Sequence, residues 1–314
     1  MLKTINAFLL FLFLTNIATA QIEPEAIRQY PDKMQLSIIN SYQDFNFSAG
    51  VVNNSSISYR NTMVKTGLRL RVGKVGLTFA VPVVRIHPNK SSLTENLAFS
   101  FNIYPKKINL GGSVRRVKGF DQENDGKVVF RPDVKLLHFE TSGTYVFNKN
   151  FSLWAPFRYY ERQMKNAGSF LVMGIADFKR LQAKDSLFHI SQDVLSDLGA
   201  MNILSFGAGA GYGFTLTKGN WYFTCLLTGG GELNRRQYFD KENHNLLSEW
   251  KLKPVTIAQL STGYNTDRYF LGLVSYFRPG FGISDNLDAN FYRFHAALIA
   301  GIRFDTPKFL RKKK

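Results

Sequence analysis

The chain of 314 residues contains a single cysteine, Cys225. An internal disulfide is therefore excluded, and packing alone has to stabilise the fold. The sequence also lacks long apolar runs, because Gly, Ser, Thr or Arg interrupts its most apolar windows at every second residue. A spanning helix needs about 20 consecutive apolar residues, so a membrane protein with this sequence would have to cross the bilayer as a barrel of strands.

The N-terminus has the layout of a secretory signal peptide. Lys3 precedes an apolar run from Ala7 to Leu14, and Ala18-Thr19-Ala20 forms an A-x-A cleavage site. The apolar run is too short to span a bilayer. We therefore predict that residues 1–20 are removed, that the mature chain begins at Gln21, and that the protein is exported.

Acidic residues are few, with 23 Asp and Glu against 40 Lys and Arg, which gives a formal net charge of +17. A basic excess often indicates nucleic-acid binding, but an exported protein meets no nucleic acid. Outer-membrane lipids, including lipopolysaccharide, and small anionic solutes are the partners we expect instead. Part of the excess lies in residues 305–314, which we predict to be a solvated basic tail.

The stretch 64–83 shows the pattern that recurs almost to the C-terminus. Apolar residues alternate with small or charged ones along two runs that a Gly73-Lys74 turn joins. Since successive side chains of a strand point to opposite faces, this pattern predicts a hairpin with one apolar and one polar face. A soluble sandwich would give the same alternation, but it favours Val/Ile-rich cores rather than Phe-rich stripes opposite Gly and Arg.

The connections between such runs alternate between tight turns and long loops. Tight turns are predicted at 73, 105, 149, 219 and 266, and long connections at 43–54, 84–95, 117–133, 161–201, 232–250 and 279–290. An even number of strands with short periplasmic turns and long outer loops is typical of bacterial outer-membrane barrels. We therefore predict an all-β fold, a closed antiparallel transmembrane β-barrel of about twelve strands in a single domain, residues 21–304. Phe151 to Tyr159 is predicted as one strand, and 161–201 as a long loop or a plug in the lumen; two further strands from 161–201 would make fourteen.

The centre of the chain resembles a known family. Tyr145-Val-Phe-Asn148 is followed by Lys149-Asn-Phe151-Ser and then by the stretch from Glu161 to Leu171, which resembles the central signature of a Bacteroidota family called domain of unknown function 4421. The signature residues are Glu161, Arg162, Gln163, Lys165, Gly168 and Ser169. The resemblance implies an envelope β-barrel of a Gram-negative cell and supplies no activity.

Arginine on the polar faces of the predicted strands is the most consistent chemical feature. Six residues share this placement: Arg69, Arg71, Arg115, Arg158, Arg293 and Arg303. In a barrel this face lines the interior, and rings of Arg favour anions in a pore. The alternative is a narrow interior packed with ion-paired side chains, because small barrels fill with side chains.

Other candidate sites are weaker. Asp121, Glu123 and Asp125 resemble the start of a calcium loop, but Pro132 stands where an EF-hand requires Glu. His138, Glu140 and Ser142 share a strand face, yet neighbours at i and i+2 lie nearly 7 Å apart, too far for a direct proton relay. We expect no cofactor, metal site or catalytic residue. The predicted function is a narrow anion-leaning pore or a structural or adaptor barrel, with a lipid-modifying or lipid-hydrolysing barrel enzyme as the alternative.

Overall fold

The computed structural model describes residues 26–50, 56–85, 95–103, 108–124, 126–187, 198–280 and 289–307. The predicted signal peptide and residues 308–314 of the predicted tail lie outside these ranges. No helix in the described ranges is long and apolar enough to cross a membrane.

Twelve long strands close into one antiparallel ring, which confirms the predicted fold and strand number. Each strand pairs with its neighbour along the chain, and the last pairs with the first, so that Ala289–Asp305 faces Lys33–Gly50. The ring strands are β2 Lys33–Gly50, β3 Ser56–Val72, β4 Val75–Arg85, β5 Glu95–Ile103, β6 Ile108–Asn124, β7 Lys127–Val146, β9 Ala167–Gln182, β10 Ala200–Lys218, β11 Trp221–Phe239, β12 Asn245–Asn265, β13 Tyr269–Arg278 and β14 Ala289–Asp305. Two short strands, β1 Ile27–Gln29 and β8 Glu161–Gln163, pair only with each other and form a separate two-stranded sheet.

The seventh ring strand is not the predicted one. Phe151 to Tyr159 does not form a strand, because it contains helix α1, Trp154–Arg158. Pro156 has no N–H to donate to a ladder, and both sides of this segment are buried. The wall strand is β9, so the prediction of a loop or plug over 161–201 is wrong for residues 167–182. The plug is instead the segment 147–166, between β7 and β9.

The strands place their apolar side chains on the outside of the ring. Leu68 is 57% exposed and Phe79 is 52% exposed, whereas Lys65 and Arg69 are buried on the inward face. This distribution is the reverse of that in a water-soluble protein, in which buried charges are rare. It follows from the period-2 alternation in the sequence, with the apolar face turned outward.

Both ends of the barrel are filled. We call the end with the tight turns and both chain termini the turn end, and the opposite end the loop end. Segment 147–166 fills the turn end, and a cluster of buried apolar side chains that includes Phe47, Tyr59, Phe120 and Tyr238 fills the loop end. Near the loop end β3 also pairs directly with β6, so that β4 and β5 drop out of the ring there.

Candidate functional site: an arginine-lined chamber

The structure places five of the six sequence-predicted arginines on inward strand faces. Arg69 and Arg71 lie on β3, Arg115 on β6, and Arg293 and Arg303 on β14. Arg158 was predicted on a strand but belongs to helix α1, because the chain leaves the wall there. Its side chain nevertheless lines the interior. The six fall into two groups with different roles.

Arg71 and Arg303 hold the plug. Arg71 donates through Nη1 to the carbonyl oxygen of Tyr160 (3.2 Å) and through Nη2 to that of Tyr30 (3.3 Å). Arg303 donates through Nε to the carbonyl oxygen of Tyr159 (3.1 Å) and through Nη2 to Asn265 Oδ1 (2.8 Å). Carbonyls at a helix C-terminus lack intrahelical partners, and these two guanidinium groups supply them.

The turn that ends α1 is fixed from several sides. Tyr159 has a left-handed backbone (φ 62°) and stacks on Phe270 at 4.6 Å between ring centroids. Its hydroxyl accepts a hydrogen bond from the Tyr222 hydroxyl at 2.7 Å. The Pro156 carbonyl oxygen accepts a hydrogen bond from Ser261 Oγ (2.7 Å) and lies 3.1 Å from Tyr222 Oη. These hydrogen bonds and the ring stack fix the plug inside the barrel.

The family-signature residues serve the same segment. Ser152 Oγ donates to Glu161 Oε2 (2.6 Å), and Gln163 Nε2 donates to the carbonyl oxygens of Asn150 (2.7 Å) and Lys165 (3.0 Å). Burial raises the pKa of the Glu161 carboxyl, although the Ser152 hydrogen bond opposes this shift.

The remaining signature residues join the plug to the wall. Arg162 Nη2 donates to the Gly219 carbonyl oxygen (3.2 Å). Ser169 Oγ accepts from the backbone N–H of Asn148 (2.9 Å), and Asn148 Nδ2 donates to the Gly168 carbonyl oxygen (2.7 Å). A Cβ at Gly168 would lie 2.2 Å from the Tyr212 hydroxyl, so a larger residue there would require the Tyr212 ring to move. The signature residues therefore hold the plug together and fix it to the barrel wall.

Between the two filled ends lies a cavity of about 310 Å³, which we call the chamber. Four arginines line it: Arg69, Arg115, Arg158 and Arg293. Its two acidic residues are already paired, because Glu140 accepts from Arg293 at 2.9 and 3.2 Å and Asp44 pairs with Arg60 at 2.7 Å. Within the described ranges no carboxylate forms an ion pair with Arg115 or Arg158. The chamber therefore presents uncompensated positive charge.

A further buried basic residue, Lys65, is missing from the sequence prediction. It is buried on the inward face of β3 and donates to the neutral side chain of Asn96 (2.5 Å). Strand parity could have predicted this placement, because Lys65 lies two residues before Gly67 and four before Arg69 and therefore shares their strand face.

The chamber adjoins a smaller space at each end. A cavity of about 280 Å³ beside the plug shares Asn109 and Leu153 with it, and a pocket of about 60 Å³ toward the loop end shares Phe45, Glu140 and Arg293. The larger of the two spaces is lined by the plug residues Phe151, Ser152 and Trp154.

The acidic cluster next to that ion pair is a poor metal site. His138, Glu140 and Asp177 have ligand atoms within 4.8 Å of one another. However, Glu140 is bonded to Arg293, and Asp177 pairs with Lys179 and, at 3.4 Å, with Arg278. A cation would face these positive groups, so the carboxylates serve as partners for arginine and lysine.

The weaker candidate of a hydrolase site at His138, Glu140 and Ser142 gains no support from the contacts of His138. The nitrogens of the buried His138 ring have no hydrogen-bond partner in the described part of the chain, and Glu140 Oε2 lies 3.8 Å from Nε2. No serine hydroxyl is bonded to this ring, so the Ser–His contact that a hydrolase would need is missing there. Asp121 and Glu123 belong to strand β6 rather than to a calcium loop, and Asp125 lies outside the described residues.

Solved structures similar to this chain are bacterial β-barrels, with low sequence identities and low TM-scores. OmpT of Vibrio cholerae has 8% sequence identity and a TM-score of 0.30, with 88% of this chain and 100% of that chain covered. The β domain of the Bordetella autotransporter BrkA has 11% identity and a TM-score of 0.39, with the same coverage. Ail of Yersinia pestis, solved with the heparin analogue sucrose octasulfate, has 11% identity and a TM-score of 0.23, with 87% and 98% covered.

At these values the similarities carry no statement about function. No curated protein sequence matches the chain significantly. The sequence profile of one family, described as "Domain of unknown function (DUF4421)", matches residues 26–293. That match spans nearly the whole described barrel, including the plug and its signature residues, and the chain therefore belongs to the DUF4421 family.

Proposed function

We propose that the protein is an outer-membrane β-barrel whose arginine-lined chamber binds small anionic solutes and gives them a narrow route past the plug. The uncompensated charge of Arg115 and Arg158 in the chamber is the observation that carries this proposal. The predicted signal peptide supports export, and the outward apolar face supports a place in lipid.

The height of the apolar face fits a bilayer. On β14 the outward residues from Phe294 to Phe304 are all uncharged. This stretch is about 33 Å long at a rise of about 3.3 Å per residue, and a strand tilt of about 40° gives about 25 Å along the barrel axis. Outer-membrane barrels have an apolar band of about this height.

Electrostatics favours anions over cations in the chamber. A buried positive charge without a counter-ion is costly, so an anion entering the chamber gains attraction and relieves repulsion between the arginines. Charged rings of this sign select anions in pores. The ion pair of Glu140 with Arg293 would form the next barrier along the route.

Single-channel conductance of residues 21–314 in a planar bilayer tests the proposal. We expect a small current with anion selectivity, measured across a salt gradient. Arg115→Gln with Arg158→Gln should abolish the selectivity, because it removes the unpaired charge. Arg235→Gln is the matched control, since Arg235 is exposed on the outward face of β11.

The filled ends favour a second candidate, a closed structural or adaptor barrel. The plug and the aromatic cluster at the loop end both block the barrel axis. This candidate would be supported if the folded barrel conducts no current and if added phosphate does not raise its melting temperature. If the barrel conducts no current but phosphate raises its melting temperature, and Arg115→Gln with Arg158→Gln removes that rise, the chamber binds anions without conducting them.

A further inference from the structure

The outer wall near the loop end carries a group of cations on three adjacent ring strands. Arg116 on β6, Lys135 on β7 and Arg180 on β9 have the same strand parity as exposed apolar residues of their own strands, so all three lie on the outward face. We call these three residues the basic patch. They stand outside the barrel and take no part in the chamber.

The register brings the three cations together. Arg116 pairs with Leu137, and Leu137 pairs with Arg180, so the two arginines are two strands apart at one level. Lys135 is the next outward residue on β7 beyond Leu137. With a strand spacing of about 4.8 Å and a rise of about 3.3 Å per residue, the three Cα atoms form a triangle with sides of about 8 to 10 Å.

No carboxylate pairs with the basic patch in the described ranges. Arg180 donates to the neutral side chains of Gln182 (3.1 Å) and Asn243 (3.1 Å). Nearby Lys118 is different, because Glu95 accepts from it at 3.2 Å. Arg60 on β3, also outward near the loop end, is likewise paired with Asp44. Three like charges left this close repel each other until an anion joins them.

The position of the patch indicates which anion. On β7 the outward residues between Lys135 and the turn end, including Phe139 and Tyr145, are uncharged. The patch therefore lies directly beyond the apolar band, at the level of the lipid headgroups if the barrel spans a membrane. Long Lys and Arg side chains can lie along apolar surface there and hold their charges among headgroup phosphates.

We propose that the basic patch binds the phosphate groups of a membrane lipid in the leaflet at the loop end. The acyl chains would pack on the apolar strand faces below, and the guanidinium groups would contact phosphate oxygens in two-point hydrogen bonds. This inference depends on the membrane location in the proposed function and is independent of the chamber.

Lipid binding by the mature protein in phosphatidylcholine nanodiscs, with bisphosphoryl lipid A as the probe, tests the inference. We expect the triple variant Arg116→Gln, Lys135→Gln, Arg180→Gln to bind the probe at least about tenfold more weakly, since charge-assisted contacts to phosphate are lost. Lys74→Gln, Lys149→Gln, Lys218→Gln removes the same charge from exposed turn-end positions and should bind as the wild type does. Arg116→Lys with Arg180→Lys keeps the charge and should retain most of the binding.

Equal weakening in both triple variants would overturn the inference, because net charge alone would then explain it. Undiminished binding of lipid A without its phosphates would overturn it too. If the basic patch binds both phosphates of lipid A, phosphatidylglycerol as a competitor should displace the probe only weakly. Complete displacement at equal concentration would contradict binding of both phosphates. Flotation with vesicles is scored separately: a folded wild type that stays out of vesicles contradicts the proposed membrane location rather than the patch alone.

Discussion

At the scale of single residues, some arginines serve as hydrogen-bond donors to backbone carbonyls, whereas others serve as partners in ion pairs. Arg303 is buried and contacts the carbonyls of Tyr159 and Thr266, the side chain of Asn265, and the rings of Tyr30 and Phe270. Parity along the strand predicted that this side chain points inward. It could not predict that the partner would be backbone, because the plug lies more than a hundred residues away in sequence.

Arg303→Lys tests this use of the planar group. Lysine keeps the charge but cannot reach several acceptors in fixed directions, so buried carbonyls lose their partners. We expect the free energy of unfolding in detergent, measured by urea denaturation, to fall by about 2 to 4 kcal/mol. Arg268→Gln, at an exposed turn position, should change it by no more than about 0.5 kcal/mol. A fully stable lysine variant would show that charge alone is sufficient.

Glu161 predicts a dependence of stability on pH. Burial raises the pKa of its carboxyl above the ordinary value of 4.5, so the folded state holds the proton more tightly than the unfolded state. The cost of ionised Glu161 is therefore absent below about pH 4 and grows as the pH rises through the folded-state pKa. Relative to Glu161→Gln, the wild type should lose stability in thermal melts as the pH rises from about 4 through the raised folded-state pKa of Glu161. A difference that is flat with pH, or equal to that of exposed Glu242→Gln, would contradict this.

At the scale of elements, sequence alternation predicted the strands whose two faces differ. It failed for β9, whose inward residues Leu171, Met173 and Ile175 are apolar because they face the plug and the neighbouring interior. With apolar residues on both faces, the period-2 contrast is lost. The segment Phe151 to Tyr159 gave the opposite error, since its alternation reflects burial inside the barrel rather than a place in the wall. Its Pro156 was the local signal against a ladder.

The plug should loosen when its two arginine contacts are removed. Trp154 reports on the plug once Trp221 and Trp250, which are exposed on the outer wall, are replaced by Phe. In that background Arg71→Gln with Arg303→Gln should increase acrylamide quenching of Trp154 by about twofold or more, because the Tyr159 and Tyr160 carbonyls lose their donors. The control pair Arg28→Gln with Arg268→Gln removes two exposed charges at the same end. Equal quenching in both pairs would mean that apolar packing alone holds the segment.

At the scale of the whole molecule, the chain separates charge inward and apolar surface outward. That separation was predictable because it follows from strand parity, which each residue obeys locally. The pairing of charges was not, since Glu140 and Arg293 meet across the lumen from distant strands. The division of the arginines into plug contacts and chamber lining depends on the same long-range geometry.

The outward apolar face gives opposite expectations in lipid and in water. Leu273, in the middle of β13, is 50% exposed. If it faces the bilayer midplane, Leu273→Arg should lower the free energy of unfolding in liposomes by about 2 to 4 kcal/mol, whereas Phe304→Arg near the turn-end interface should lower it by about 0 to 1 kcal/mol. In a water-soluble barrel neither exposed substitution would cost more than about 0.5 kcal/mol. The contrast between these two positions, rather than either value alone, distinguishes them, because only a bilayer makes the cost depend on depth.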